Sequence, residues 1–245
     1  MSPRWPTVLM YHSIGWLEND PNLLCTSPER FEAQMLYLKR RGLRGVTMRK
    51  LHRAMNEGNT RGLVGLTVDD GYEDFLTAAV PVLERVGFSA TVFAVVNMLG
   101  EENDWEHAHT PRPQLKLLDA EGAREVSERG MEVGSHSLTH ARLAGAEPEL
   151  LESEVGESRR ALGEILGEDV EGFCYPYGSL DGAAVRVARR AGYAYACGWR
   201  TLVEHGAYDW PRIPVSDRDG FLRFATKLQI YPQYSAAKSV IVSSR

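Results

Sequence analysis

The sequence predicts an α/β fold in which a mostly parallel sheet of about seven strands forms a distorted barrel with helices on its outside. Short apolar segments alternate with helix-like segments along the 245 residues, which is the pattern of repeated strand–helix units. The strand-like segments are apolar almost throughout, as expected for strands that are buried on both faces. No internal repeat or linker interrupts residues 1–245, so we expect a single domain.

In the first half of the chain, apolar runs alternate with helix signals. The opening run, TVLMYHSI, is apolar from Val8 to Tyr11, as in a buried strand. Ser27 and Pro28 predict a helix start, because serine is a favoured N-cap and proline suits the first helical position. On such grounds we predict strands at residues 7–14, near 46, at 62–70 and at 89–96, and helices at 28–42, 49–57 and 74–87.

The second half of the chain repeats this alternation after a polar stretch. Residues 97–113 contain two prolines and two histidines and predict a long loop. Asp119 is placed to cap a helix that ends at Gly130. Further strands are predicted at residues 131–137, 193–199 and 210–215, and residues 170–178 are predicted to form a strand that leads into a turn. Helices are predicted at 148–167 and 180–191.

Composition and charge exclude several classes of protein. The formal net charge of −5 argues against nucleic-acid binding, which needs a basic surface. No apolar run approaches the roughly 20 residues of a membrane helix, and the first residues lack a secretory signal pattern. Cys25, Cys174 and Cys197 form no CxxC pair, as is typical of a reducing compartment. These features predict a cytoplasmic protein, and a trimmed secreted form would show the same features.

Polar side chains close several of the predicted strands. Chemistry in a parallel α/β barrel lies where the strands end and the loops begin. We therefore expect one rim to carry the polar residues that end these strands, which are His12, Ser13, Asp69, Asp70, Ser135, His136, Tyr175, Pro176, Tyr177 and Arg212.

Two of these segments suit a metal site. Asp69 and Asp70 end an apolar strand, where they act either as site carboxylates or as turn and N-cap residues. His136 and His140 are four residues apart, and one helical turn after the strand would place both rings on one side. Two ordinary surface histidines are the alternative. Together, two histidines and one aspartate form a facial ligand set for a divalent ion that leaves positions open.

The sequence resembles the polysaccharide deacetylases, the carbohydrate esterase family that includes nodulation-type chitooligosaccharide and peptidoglycan deacetylases. The segments TVDDG, HSLTH and YPYG carry this resemblance, and they follow one another in the order and at the spacing of the family motifs. The early Tyr-His in LMYHS is similar to the circularly permuted poly-N-acetylglucosamine deacetylases, in which the strand carrying the acid histidine comes first.

The resemblance implies a barrel of seven or eight strands and metal-assisted removal of N-acetyl groups from an amino-sugar glycan or saccharide. It implies that Asp69 is the general base and that Asp70, His136 and His140 bind the metal. Zn²⁺ is the first expectation for such ligands, with Co²⁺, Ni²⁺ or Fe²⁺ as alternatives. No histidine follows Trp210, where the family usually has its acid. His12 is therefore the candidate acid, and a structural histidine bonded to a backbone carbonyl is the alternative.

The chain departs from the family pattern at Cys174, where an arginine that orients the base often stands. We predict that Arg212 supplies this guanidinium to Asp69, which would fix and ionise the carboxylate; a surface arginine is the alternative. The backbone N–H of Tyr177 is a predicted oxyanion donor. Substrate contacts are predicted at Pro176, Tyr177, Asp209 and Trp210, with Asp209 alternatively holding His12, and further candidates are Trp105, His107 and His109.

Two other functions fit the same residues. Related folds hydrolyse other small C–N bonds, including those of cyclic amides. A carbohydrate-binding relative without catalysis is the second alternative, although intact metal-ligand candidates argue against it.

Overall fold

The computed structural model describes residues 5–18, 20–105, 114–199 and 205–230, and it confirms the distorted α/β barrel. Its strands are β1 (Val8–Tyr11), β2 (Arg44–Val46), β3 (Leu63–Val68), β4 (Thr91–Ala94), β5 (Glu132–Ser135), β6 (Gly172–Cys174), β7 (Tyr195–Cys197) and β8 (Ile213–Pro214). They form one curled sheet in the order β7-β6-β5-β4-β3-β1-β8, and β2 pairs with β3 off this path. The pairings between these strands are parallel.

Helices connect the strands on the outside of the sheet. They are α1 (Pro28–Arg40), α2 (Met48–Asn56), α3 (Val80–Val86), α4 (Ala120–Glu128), α5 (Pro148–Leu151), α6 (Ser158–Leu166) and α7 (Gly182–Ala191). Two π-helical segments, Phe75–Ala79 and Glu152–Glu157, lead into α3 and α6. Residues 221–230 are also helical. In the described residues, no helix combines the length and the apolar character that crossing a membrane requires.

Side-chain caps explain where several helices begin. Thr47 accepts a hydrogen bond from the backbone of Lys50 at the start of α2, and Asp119 accepts one from Gly122 at the start of α4. Such caps satisfy backbone N–H groups that have no partner within the helix. Ser27 precedes α1 as predicted, but its hydroxyl donates to Asp217 instead of capping the helix.

The first and last strands are neighbours, which brings the two ends of the sheet together. Leu9 of β1 lies opposite Leu66 of β3 on one side and Ile213 of β8 on the other. Trp210, just before β8, forms a parallel bridge with Cys197 of β7. The chain from 210 to 214 therefore contacts both β7 and β1, so the segments that carry His12 and Arg212 are neighbours.

Helix α2 covers the amino end of the barrel. Glu132, the first residue of β5, accepts hydrogen bonds from the backbone N–H of Arg49 and from the hydroxyls of Thr91 and Tyr195, at 2.8, 2.7 and 2.7 Å. Met48 and other apolar residues of α2 pack against the side chains inside the barrel. α2 thus closes this end, and because the strands are parallel, the polar residues that follow them lie at the opposite end.

Candidate active site

The polar residues that follow β1, β3 and β5 converge at the carboxyl end of the barrel. Asp69 and Asp70 follow β3, His136 follows β5, and His140 comes from the loop after β5. All four side chains are buried, with at most 4 % of each residue exposed. Buried ionisable groups are costly unless they are paired, so their joint presence marks this end of the barrel as the candidate site.

The turn after β3 allows both adjacent carboxylates to serve one site. The backbone N–H of Asp69 still donates to the carbonyl oxygen of Tyr11, at 2.9 Å, and extends the strand ladder. Asp70 then adopts a φ of 74° and Gly71 a φ of 77°, which breaks the strand alternation. A Cβ atom at Gly71 would also lie 3.0 Å from the Cα of Ala94, so glycine suits this position on both counts.

The two histidines are joined by a loop and not by the predicted helical turn. Ser137 and His140 have φ values of 68° and 65°, and the hydroxyl oxygen of Ser137 accepts a hydrogen bond from the N–H of His140 at 3.0 Å. The buried Glu154 accepts hydrogen bonds from the backbone N–H groups of Leu138 and Thr139, both at 3.0 Å. Glu154 therefore holds this loop, and no sequence motif had indicated it.

Asp70, His136 and His140 form a compact set of ligand atoms. The Oδ1 atom of Asp70 lies 3.5 Å from Nε2 of His136 and 3.3 Å from Nε2 of His140. Nδ1 of His136 lies 2.8 Å from the carbonyl oxygen of Cys174. A proton on that nitrogen directs the lone pair of Nε2 toward Asp70, as in many metal sites. One carboxylate and two imidazoles within 4.8 Å of one another suit a divalent metal ion.

A second group, formed by Asp69, His136 and Cys174, also brings three ligand atoms within 4.8 Å. The guanidinium of Arg212 already occupies it, with Nη2 at 2.8 Å from Asp69 Oδ2 and at 3.1 Å from Cys174 Sγ. A second cation there would face this positive charge. The residues therefore fit a metal at Asp70 and not at Asp69.

Arg212 forms the predicted pair with Asp69. Its Nη1 lies 2.6 Å from Asp69 Oδ1, which with the Nη2 contact makes the pair bidentate. Its Nε donates to the carbonyl oxygen of Gly198 at 2.8 Å. Burial raises the pKa of Asp69, but the guanidinium of Arg212 outweighs it, so the pKa lies below its ordinary value. Asp69 is thus held ionised and in one orientation.

The position of Arg212 differs from the prediction that it ends a strand at the rim. Arg212 precedes β8, and the next residue, Ile213, lies opposite Leu9 near the start of β1. The buried side chain extends through the barrel, past the ring of Phe93, to reach Asp69. The small side chain at Cys174 leaves space for this guanidinium inside the barrel.

His12 lies at the end of β1 beside these charges. Its Nδ1 is buried and has no hydrogen-bond partner, so the alternative of a ring anchored through Nδ1 to a backbone carbonyl is not observed. Burial lowers the pKa of His12, while the carboxylates of Asp70 and Asp69 oppose this shift in part. The structure therefore places His12 within the electrostatic environment of both aspartates.

Aromatic side chains surround His140. The ring of Trp105 lies 4.4 Å from that of His140 and the ring of Tyr177 lies 4.5 Å from it. Arg142 places its guanidinium 4.1 Å from the centre of the Tyr177 ring, so one face of this ring is already covered. The preceding Pro176 is buried. Tyr177 and Trp105 thus adjoin the candidate metal ligands.

Trp210 does not reach the site, which corrects the prediction that it stacks on substrate. It is fully buried, and its ring lies 4.8 Å from that of Trp5 and 6.2 Å from that of His52 on α2. These neighbours belong to the amino end of the barrel, where an apolar ring completes the interior. Asp209 is buried directly against Gly198, and its contact with substrate or His12 stays a prediction. His107 and His109 lie outside the described residues.

Comparisons with known proteins agree with this geometry. The sequence profile of the polysaccharide deacetylase family matches residues 56–196. The chain is 27 % identical over 188 residues to the Bacillus subtilis (strain 168) protein YxkH, in an alignment that covers 76 % of this chain and 61 % of YxkH. It is 24 % identical over 196 residues to the poly-beta-1,6-N-acetyl-D-glucosamine N-deacetylase of Staphylococcus aureus (strain MSSA476), which covers 78 % of this chain and 68 % of that protein.

A solved structure shares the fold. The Streptococcus pyogenes deacetylase PplD, determined in complex with acetate, superposes with a TM-score of 0.79 at 21 % identity, over 93 % of this chain and 99 % of that chain. The family profile covers more than half of the chain and includes Asp69, Asp70, His136 and His140. The chain therefore belongs to the polysaccharide deacetylase family.

Proposed function

We propose that the protein is a metal-dependent N-deacetylase that releases acetate from N-acetylated amino sugars of the N-acetylglucosamine type. One observation carries this proposal. A buried ligand set, Asp70 with two histidines, lies beside a second carboxylate, Asp69, that an arginine keeps ionised. The Staphylococcus aureus relative, named as an N-deacetylase of a poly-N-acetylglucosamine, supports the same substrate class.

Asp70, His136 and His140 would hold the metal ion. Zn²⁺ suits two imidazoles and one carboxylate best, and Co²⁺, Ni²⁺ and Fe²⁺ are alternatives for the same ligands. When bound, the ion polarises the acetyl carbonyl and lowers the pKa of a water molecule.

Asp69 and His12 divide the proton transfers between them. Asp69 takes a proton from the water that attacks the acetyl carbonyl carbon, because Arg212 keeps the carboxylate ionised and oriented. His12 gives a proton to the sugar nitrogen as the C–N bond breaks, so the products are acetate and a free amine. Both residues belong to this one site because β1 and β3, which they follow, are adjacent strands.

The turn at Tyr177 is the proposed oxyanion site. Tyr177 has a φ of 58°, and its ring contacts His140. Its backbone N–H would donate to the oxygen that becomes negative during attack, which is where a preorganised donor contributes most. Pro176 and Asp209 are proposed to shape the adjoining sugar-binding surface.

Acetate release tests the proposed function. Metal-reconstituted protein is assayed with N-acetylglucosamine oligosaccharides of increasing length and, separately, with a panel of cyclic amides. We expect acetate from the oligosaccharides, a loss of roughly 100-fold or more in Asp69→Asn and His12→Ala, and loss of activity with a chelator. Asp169→Asn, in which a largely exposed carboxylate is changed, serves as the control and should retain the wild-type rate.

Two outcomes would contradict the proposal. Turnover of cyclic amides without acetate release would show a different amide hydrolase on this fold. Glycan binding that is unaffected by chelator, with no acetate released, would show a carbohydrate-binding protein without catalysis.

A further inference from the structure

The chain on both sides of His12 is bonded to the segment that follows β3. On one side, the N–H of Asp69 donates to the carbonyl oxygen of Tyr11 at 2.9 Å. On the other side, the hydroxyl of Ser13 donates to Oδ2 of Asp74 at 2.5 Å. The backbone of His12 is thus held between two attachments to the segment that carries Asp69 and Asp70.

Asp74 stands at a helix N-cap, but its side chain does not cap that helix. It is the N-cap residue of the π-helical segment Phe75–Ala79, yet its side chain makes no capping hydrogen bond. An aspartate at an N-cap ordinarily bonds to the backbone of its own helix. Here the carboxylate is directed at Ser13 in another part of the chain, and a Cβ atom at Gly15 would lie 3.2 Å from its Oδ2.

The surroundings of the Asp74 carboxylate are unfavourable for the stability of the folded state. Burial raises the pKa of Asp74, and its Oδ1 is buried without a hydrogen-bond partner. A buried polar atom without a partner destabilises the folded state. A carboxylate in such surroundings is better explained by a requirement at the neighbouring site than by a contribution to folding.

We propose that Ser13 and Asp74 are positioning residues that hold His12 in place relative to Asp69 and Asp70. The inference rests on the proposed function, in which His12 protonates the leaving amine. β1 ends at Tyr11, so His12 is the first residue beyond the strand. The other bonds of Ser13 join it only to its own loop: its N–H donates to Leu24, its carbonyl oxygen accepts from Thr26, and its hydroxyl contacts Cys25 Sγ at 3.9 Å. The bond to Asp74 is what connects this loop to the site.

The physical reason is the steep dependence of proton transfer on geometry. A general acid must lie within hydrogen-bond reach of the atom that it protonates. Displacement of about 1 Å in a catalytic group costs up to roughly 100-fold in rate. Loss of the bond between Ser13 and Asp74 would leave Asp69 and the metal ligands in place and would displace only the acid.

Two substrates separate this role from a purely structural one. An N-acetylglucosamine oligosaccharide needs the acid, because an amine leaves only after protonation. 4-Nitrophenyl acetate does not, because nitrophenolate leaves as a stable anion. We expect Ser13→Ala and Asp74→Ala to lower kcat for the oligosaccharide about 10-fold, a partial loss of acid catalysis, while the ester rate stays within about twofold of wild type. Asp74→Asn keeps an acceptor oxygen for Ser13 and should recover most of the loss.

Asp20→Asn provides a matched control in the same loop. The carboxylate of Asp20 accepts hydrogen bonds from the N–H groups of Leu24 and Cys25, at 3.0 and 2.8 Å, and these bonds involve neither His12 nor Ser13. We expect this variant to leave the ratio of amide to ester hydrolysis unchanged. A Zn²⁺-induced rise in melting temperature that persists in Ser13→Ala and Asp74→Ala shows that the metal ligands remain assembled.

A double variant decides whether the effect acts through His12. In the His12→Ala background, Ser13→Ala should cause no further loss of amide hydrolysis. Equal losses with both substrates, no loss with either, or a further loss in the His12→Ala background would overturn this inference alone. Absence of acetate release by the wild type, or a wild-type rate in His12→Ala, would overturn the proposed function and this inference with it.

Discussion

At the scale of single residues, the ionisation of Asp69 depends on Arg212. Burial alone would raise the pKa of this carboxyl group, and the bidentate guanidinium reverses the shift. The neighbouring thiol of Cys174 contributes no charge, because burial raises its pKa to about 11. Arg212 is therefore the group that keeps the base of the proposed reaction ionised, and its removal should raise the pKa of Asp69.

We expect Arg212→Ala to move the acid limb of kcat/KM to higher pH. Asp69 must be ionised to act as a base. In the wild type its lowered pKa keeps it ionised down to pH values below about 3.9, its ordinary pKa, whereas the variant lacks the largest contribution that opposes burial, so the pKa rises. Activity is then lost as the pH falls through this higher value, which a pH–rate profile measures.

Arg142→Ala is the control for this prediction, because it removes an exposed guanidinium near the site that does not touch Asp69. Arg212→Lys keeps the charge without the bidentate geometry and should shift the limb less. An unchanged acid limb and an unchanged rate in Arg212→Ala would exclude the positioning role of Arg212.

At the scale of elements, Asp181 connects the start of α7 to the loop after His140. Its Oδ1 accepts hydrogen bonds from the N–H groups of Ala183 and Ala184, both at 2.9 Å. Its Oδ2 accepts one from Gly145 at 2.8 Å. One side chain therefore caps a helix and holds the loop that carries Arg142 beside the Tyr177 ring.

We expect Asp181→Ala to lower the free energy of unfolding by about 1 kcal/mol at pH 7, the usual effect of losing a helix cap. The backbone donors lower the pKa of Asp181, so its stabilising charge is present above the ordinary pKa of about 3.9. That contribution is lost as the pH falls through the lower folded-state pKa. Urea unfolding of the wild type and the variant at pH 7 and pH 3 measures both effects.

Asp169→Ala is a suitable control here, since this carboxylate is 90 % exposed and caps no helix in the described structure. A difference between the wild type and Asp181→Ala that is equally large at pH 3 and pH 7 would contradict the ionic contribution of the cap.

At the scale of the whole molecule, the closed order of the strands decides which groups meet. β1 lies between β3 and β8, so residues from the beginning of the chain lie beside residues of the last strand. Parallel strands place all their carboxyl ends on one side, and α2 covers the other side through Glu132. The candidate site therefore joins elements from across the chain, and ligand binding there should stabilise the entire fold.

We expect Zn²⁺ to raise the melting temperature of metal-free protein. A ligand that binds only the native state adds about 2.7 kcal/mol at 100 times its Kd, which is roughly 5–10 °C for a domain of this size. His140→Ala should abolish most of this shift, because it removes one of the three ligands. His205→Ala, outside this ligand set, is the control. Differential scanning calorimetry with and without Zn²⁺ makes the measurement, and an equal shift in His140→Ala would contradict this assignment of the ligands.

Local sequence patterns determined much of the architecture. Ser27 precedes α1 and Pro28 is its first residue, as predicted, and Asp119 caps α4. The apolar runs that end in Asp69 and His136 are the strands β3 and β5. These features follow from periodicity and capping, which act between residues that are close in sequence. Since parallel strands share a direction, the sequence alone indicates that the residues at their carboxyl ends lie on one side of the sheet.

Other features depend on contacts between distant parts of the chain, and only the tertiary structure decided them. Arg212 reaches Asp69 through the barrel because Cys174 leaves room, and Trp210 is buried because α2 and Trp5 cover it. The support that Glu154 supplies to the histidine loop has no local signal either. Sequence alone thus determined which residues stand at the strand ends. Packing and hydrogen bonding between residues that are far apart in the sequence determined which side chains meet there. Asp69 and Arg212, which form an ion pair, are more than one hundred residues apart.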